Sequence, residues 1–190
     1  MKPKRKKPWE TKLIEKIIDV INYYFPGEEK IALEKFKKEK SEEISLMPSK
    51  MDFARGFQAW FLLDYLIKDE FTPMEFISAN PEKYFTKKEI KMINKFINNE
   101  RGFYEILDIT NNKKDYILKN VMNKKVINVK TIDFPAKLKA GEFIYAVPVE
   151  KLGGNYFFYG NVASYSKEEG QKVMDYLIKE SDKINKEAKK

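Results

Sequence analysis

The sequence predicts an α+β protein in which an N-terminal helical bundle precedes a small five-stranded antiparallel barrel, SH3-like or OB-like, and a C-terminal helix. Apolar residues recur at helical spacing through the first half of the chain, and short β-branched and aromatic runs between turn clusters follow. Ser166 and Glu169 form a capping pattern that opens the last helix. The expected divisions are a disordered basic tail at 1–7, a helical domain at 8–101, a barrel domain at 102–165 and the C-terminal helix at 166–190.

The spacing of apolar residues predicts the first helices. One begins at Pro8 or Trp9 and ends at Pro26-Gly27, and a second, more polar helix covers about 28–39. The run FARGFQAWFLLDYL at 53–66 is the densest apolar segment of the first half and is apolar nearly all round. We therefore expect a central helix there that packs against neighbours on several sides.

Two capping boxes predict two further helix starts. Thr72 stands three residues before Glu75, and Thr86 stands three residues before Glu89, which is the spacing at which threonine and glutamate cap each other's backbone N–H groups. Asn80-Pro81 ends the helix that Thr72 opens. The first half of the chain is thus expected to hold about five helices.

The pattern changes at Gly102, after which strand-like runs alternate with turn residues. Asparagine, glycine and lysine clusters separate the runs, and five short strands in so little chain suggest a strongly bent sheet that closes as a barrel. The predicted strands lie at 103–110, 116–118, 126–129, 142–147 and 155–159.

Several of these segments resemble uncharacterised bacterial proteins that often carry a SEC-C zinc motif. The similar segments are FQAWFLLDY at 57–65, TPMEF at 72–76, NP at 80–81, FYEIL at 103–107, LKNVMNKKVINV at 118–129 and GEFIYA at 141–146. The resemblance implies a shared fold over roughly 53–159 and transfers no catalytic residue. The SEC-C zinc knuckle itself is absent, since the chain has neither cysteine nor histidine.

The composition excludes much of catalytic chemistry. Without cysteine or histidine there can be no disulfide, thiolate–metal site or imidazole-based triad. The P-loop and Rossmann glycine patterns are missing too, so we expect no cofactor and favour a binding protein over an enzyme. No apolar run approaches the roughly 18–20 residues that span a bilayer, so we expect no membrane partner. The absence of cysteine favours a cytoplasmic location.

The net charge of +8 is unevenly distributed along the chain. Residues 1–7 contribute +5, residues 8–99 contribute −1, and the remainder contributes +4. The N-terminal segment, with Lys4, Arg5, Lys6 and Lys7, is therefore either a solvated tail or an arm that lies on phosphates. Lysine, isoleucine and asparagine richness is typical of a low-GC bacterial or archaeal source.

The predicted barrel carries more aromatic rings than a small core can hide. Small barrels bind single strands by stacking bases on such rings beside lysines. Alternation places Tyr156 and Phe158 on one face of the last predicted strand. The alternative to base stacking is that the outer aromatic residues of the barrel form a seam between the two domains. The candidate nucleic-acid-binding residues are Lys4, Arg5, Lys6, Lys7, Lys113, Lys114, Lys124, Lys125 and Tyr156.

Carboxylates provide the remaining catalytic hypothesis. Glu105 and Asp108, with Asp64 or Glu75, could gather around a divalent cation, although their spacing gives no support for it. Asp64 falls on the apolar side of the predicted central helix, so we expect it to be buried and paired, for example with Arg55 or Arg101.

Two functional hypotheses of different classes follow. The first is a non-enzymatic module that binds RNA or single-stranded DNA through the basic arm and the barrel's lysines and tyrosines. The alternative is a protein-interaction adaptor with no nucleic-acid role. Hydrolysis at a carboxylate-bound metal is a third and weaker hypothesis.

Overall fold

A computed structural model describes residues 8–45, 47, 49–80, 83–110, 115–130 and 138–187, the side chains of 43, 182 and 185 excepted. The chain has an α+β fold and divides between Asn98 and Asn99 into two compact units, a helical unit and a sheet unit. Within the described ranges, none of the helices combines the length and the apolar character that crossing a membrane demands.

The helical unit contains six described helices where about five were predicted. The additional helix has only five residues, which is too short to show a periodic pattern. Their bounds are α1 Trp9–Tyr24, α2 Glu28–Glu39, α3 Ser41–Ser45, α4 Lys50–Leu63, α5 Pro73–Ala79 and α6 Lys87–Ile97.

Helix α4 packs against both α2 and α5, as its broad apolar surface predicted. On the α2 side, the buried Phe36 ring contacts the rings of Phe53, Phe57 and Trp60 at centroid distances of 5.7, 5.5 and 5.3 Å. The expected burial of Asp64 is wrong. The helix ends at Leu63, so the helical spacing no longer applies to Asp64, which caps α4 and is exposed.

All three predicted capping boxes are present. In each, the glutamate backbone N–H donates to the hydroxyl of the cap residue at 3.3 Å, and the cap residue's N–H donates back to the glutamate carboxylate at 2.7–3.0 Å. These bonds occupy backbone N–H groups that a helix leaves without intrahelical partners. The pairs are Thr72–Glu75, Thr86–Glu89 and Ser166–Glu169.

The predicted five-stranded antiparallel barrel is wrong. The sheet has seven described strands in the order β5-β6-β3-β2-β1-β4-β7, which forms a curled half-barrel, and β3 pairs with β6 in parallel. The two unpredicted strands, β5 and β7, have three residues each, and β5 begins with a proline. Such short strands give little sequence signal, and proline is tolerated in a sheet mainly at its edges, where β5 lies. The strands are β1 Gly102–Thr110, β2 Asp115–Asn120, β3 Val126–Lys130, β4 Phe143–Ala146, β5 Pro148–Glu150, β6 Tyr156–Phe158 and β7 Ala163–Tyr165.

The two faces of the sheet bury different clusters. The inner face holds tyrosine and aliphatic side chains of β1, β2, β3, β4 and β6. On the outer face, helix α7 (Lys167–Glu187) packs on Phe103 and Phe143, whose rings stack at 5.5 Å. Helix α7 and the sheet approach each other closely at Gly170. A β-carbon at this position would lie only 2.2 Å from Cδ2 of Phe143.

We predict that Gly170→Ala destabilises the protein. An alanine in a helix ordinarily gains about 1 kcal/mol over glycine. Here the added methyl group collides with the Phe143 ring, and overpacking of this kind costs about 1–3 kcal/mol. Thermal or urea unfolding measures the change, with Lys179→Ala at an exposed position of the same helix as control. A Gly170→Ala variant more stable than the parent would contradict this packing.

Candidate nucleic-acid interface

The structure describes three of the nine predicted site residues. Lys4, Arg5, Lys6, Lys7, Lys113 and Lys114 lie outside the described ranges. The remaining three, Lys124, Lys125 and Tyr156, belong to the sheet unit, where the β2–β3 turn and β6 bring them to one corner.

The β2–β3 turn is organised by the buried side chain of Asn120. Its Oδ1 accepts hydrogen bonds from the backbone N–H groups of Met122 at 2.9 Å and Asn123 at 3.1 Å. Lys124 adopts a left-handed conformation with φ of 61°, and its ammonium group donates to the Val121 carbonyl at 2.5 Å. Lys124 therefore helps to close the turn while remaining exposed to solvent.

Lys125 links the turn to two other parts of the sheet unit. Its Nζ lies 2.5 Å from Oε1 of Glu100 and 3.2 Å from the Tyr156 hydroxyl. The hydrogen bond to Glu100, and secondarily that to Tyr156, raises the pKa of the Lys125 ammonium group. The ammonium group therefore stays charged at neutral pH, but the Glu100 carboxylate offsets part of its field.

Tyr156 meets Lys125 through its hydroxyl, and Nζ of Lys125 also lies 5.7 Å from the centre of the Tyr156 ring. The residue is only 8% exposed, and its ring belongs to the buried inner cluster of the sheet with Tyr104 and Tyr116. Burial raises the pKa of Tyr104 to about 12, which is the behaviour of a core phenol. The stacking role of Tyr156 stays a prediction, and it would require the ring to leave this cluster.

A group of exposed aromatic residues in the helical unit was missed by the sequence analysis. Tyr23 is 75% exposed and Tyr24 is 39% exposed, at the end of α1. The hydroxyl groups of Tyr24 and Tyr84 are hydrogen-bonded, and Nζ of Lys83 lies 5.2 Å from the centre of the Tyr84 ring. We call Tyr23, Tyr24, Lys83 and Tyr84 the tyrosine–lysine surface.

A sequence signal for this surface does exist. Successive helical residues point about 100° apart, so Tyr23, Tyr24 and Phe25 cannot all lie on the buried stripe that Ile14, Ile17 and Ile21 occupy. A tyrosine pair next to a helix-ending Pro-Gly is better interpreted as partly exposed.

The polar groups of the tyrosine–lysine surface are electrostatically linked. A hydrogen bond with Lys83 lowers the pKa of the Tyr84 hydroxyl, and the same bond raises the pKa of Lys83. The hydrogen bond with Tyr84 raises the pKa of Tyr24. The surface thus presents hydroxyl donors and one ammonium group beside exposed aromatic carbon.

The described carboxylates form no metal site. Within the ranges that the structure covers, no three acidic side chains gather closely enough to hold a metal ion. Asp64 is at the end of α4 in the helical unit, and Glu105 and Asp108 are on β1 in the sheet unit.

No protein-family model, curated protein or solved structure matches the chain. The resemblance to SEC-C-associated proteins therefore stays a prediction, and functional inference depends on the geometry of the two surfaces.

We predict that Tyr156→Ala costs about 3–5 kcal/mol of unfolding free energy, as expected when a buried aromatic ring is removed. Urea unfolding measures this cost. Tyr176→Ala is the matched control, because Tyr176 is 62% exposed on α7, and it should change stability by less than about 0.5 kcal/mol. Equal, small effects of the two variants would show that Tyr156 lies at the surface and would contradict its placement in the core.

Proposed function

We propose that the protein is a non-enzymatic binding module for single-stranded nucleic acid, RNA or DNA, that acts in the cytoplasm. The observation that carries the proposal is the pair of adjacent exposed lysines, Lys124 and Lys125, on the β2–β3 turn. This turn joins the two strands of a hairpin, residues 115–130, which contains four lysines and one acidic residue. Ammonium groups held on a turn are suited to contacting successive phosphates.

The chemistry of these residues favours recognition of the backbone over the bases. Lysine is a point charge without the planar fork by which arginine reads guanine, and the chain has three arginines among 37 basic residues. We therefore expect weak sequence preference and a strong dependence on salt. The basic residues Lys4, Arg5, Lys6 and Lys7 would add further phosphate contacts of the same kind.

The carboxylates around the hairpin limit the expected affinity. Glu100 pairs with Lys125, Asp115 lies opposite Lys130, and Glu105 lies opposite Lys119 in the strand register. Each carboxylate reduces the attraction that its lysine exerts on a phosphate. Binding should therefore be modest, and Lys124 should matter more than the three lysines beside these carboxylates.

A protein-interaction adaptor is the second candidate, favoured by exposed apolar residues on α7. Tyr176 and Ile184 are both largely exposed on this helix. Large exposed apolar and aromatic side chains are enriched at protein interfaces. Salt separates the two candidates, because an apolar interface responds weakly to ionic strength whereas phosphate contacts respond steeply.

We predict that Lys124→Gln/Lys125→Gln weakens binding of a labelled single-stranded oligonucleotide in fluorescence anisotropy. Each lost phosphate contact should reduce the slope of log K against log salt by about 0.7, so the double variant should lose about 1.4. Lys172→Gln/Lys179→Gln on α7 removes the same charge at exposed positions and should leave the slope unchanged.

The outcomes distinguish a specific surface from net charge. Equal losses in the two double variants would show that overall charge alone drives binding. Absence of binding by the full chain at low salt would contradict the proposed function. Comparison with a chain that starts at Pro8, in the same assay, gives the contribution of residues 1–7 to the binding affinity.

A further inference from the structure

The tyrosine–lysine surface combines two features that a phosphate-binding turn lacks. It presents large aromatic rings to solvent, and it does so on a fixed support. Tyr23 contacts Tyr24 edge-on at a centroid distance of 5.2 Å, and with 75% of the residue exposed most of the Tyr23 ring is accessible to solvent.

The neighbour of Tyr23, Tyr24, is supported by a packed cluster of phenylalanines. Tyr24 contacts Phe76 at 5.3 Å, and Phe76 in turn contacts Phe25 at 4.9 Å and Phe71 at 5.6 Å. The hydrogen bond between the Tyr24 and Tyr84 hydroxyls connects α1 to the segment before α6. Tyr24, held in this way, loses little conformational entropy when a ligand covers it, and it gives the Tyr23 ring a fixed neighbour.

Two lysines from separate segments approach the same aromatic cluster. Lys83 lies over the Tyr84 ring, and Nζ of Lys68 lies 5.9 Å from the centre of the Phe25 ring. Both are exposed, as are the neighbouring acids Asp69 and Glu70. Because the two lysines are exposed, their ammonium groups can contact an anionic ligand. The two acids nearby keep the local net charge low.

We propose that the tyrosine–lysine surface is a base-stacking site for single-stranded nucleic acid, in which Tyr23 stacks on a base and Lys83 contacts an adjoining phosphate. Exposed aromatic rings beside basic groups are the usual means of binding single strands without reading their sequence. This proposal rests on the proposed function and assigns stacking to the helical unit, whereas the β2–β3 turn supplies phosphate contacts. Double-stranded nucleic acid would not use the site, because its bases are already stacked.

The test is the anisotropy assay with a labelled single-stranded oligonucleotide and the full chain carrying Tyr23→Ala. We predict that the dissociation constant rises about 5- to 150-fold, the range expected when a stacking ring is removed. Tyr23→Phe keeps the ring and should bind within about two-fold of the parent. Tyr176→Ala removes a similarly exposed tyrosine elsewhere and should have no effect. Unchanged thermal unfolding of Tyr23→Ala shows that the loss is not a loss of folding.

The outcomes separate this proposal from the proposed function. Binding that survives Tyr23→Ala but falls with Lys124→Gln/Lys125→Gln overturns the stacking site and leaves the proposed function standing. Failure of the parent chain to bind at low salt overturns both. Lys83→Gln should reduce the salt slope by about 0.7, and an unchanged slope would show that Lys83 contacts no phosphate.

Discussion

The sheet unit depends on filling the inner face of its curled sheet. Tyr104, Tyr116 and Tyr156 fill it together with aliphatic side chains from five strands. Their hydroxyls are then the groups that need polar partners: Tyr104 donates to the Glu100 carbonyl, and Tyr156 meets the ammonium group of Lys125. The core therefore determines where the tyrosines lie, and the Tyr156 hydroxyl at its edge meets the lysine that also pairs with Glu100.

This constraint decides which aromatic rings can meet a ligand. On the described strands of the sheet, Tyr145 is the one tyrosine classed as exposed, at 44%. In the helical unit, by contrast, Tyr23 and Tyr24 follow a helical face that is already filled by isoleucines, and the rings extend outward over a phenylalanine cluster. The proposed phosphate contacts and the proposed base stacking therefore fall in different units of the chain.

Features fixed by residues close in sequence were predictable, and those that depend on distant partners were not. The capping box at Thr72 requires only a glutamate three residues away, and it forms as expected. Asp64 was misplaced because one residue at a helix end changes which way a side chain points. The three-residue strand at Pro148 is defined by its pairing with β6, which the sequence does not show. Alternation along β6 also does not show which of its faces meets the core, and for this reason Tyr156, which is buried, was predicted to lie on a binding surface.

The most direct test of nucleic-acid binding at these two surfaces is photocrosslinking of the full chain to a single-stranded oligonucleotide that carries 4-thiouridine, followed by peptide mapping. We expect adducts on the peptide that contains Tyr23 and Tyr24 and on the peptide that contains Lys124 and Lys125, both competed away by excess unlabelled single strand. Adducts confined to α7, or no adduct at low salt, would contradict the assignment of nucleic-acid binding to these surfaces.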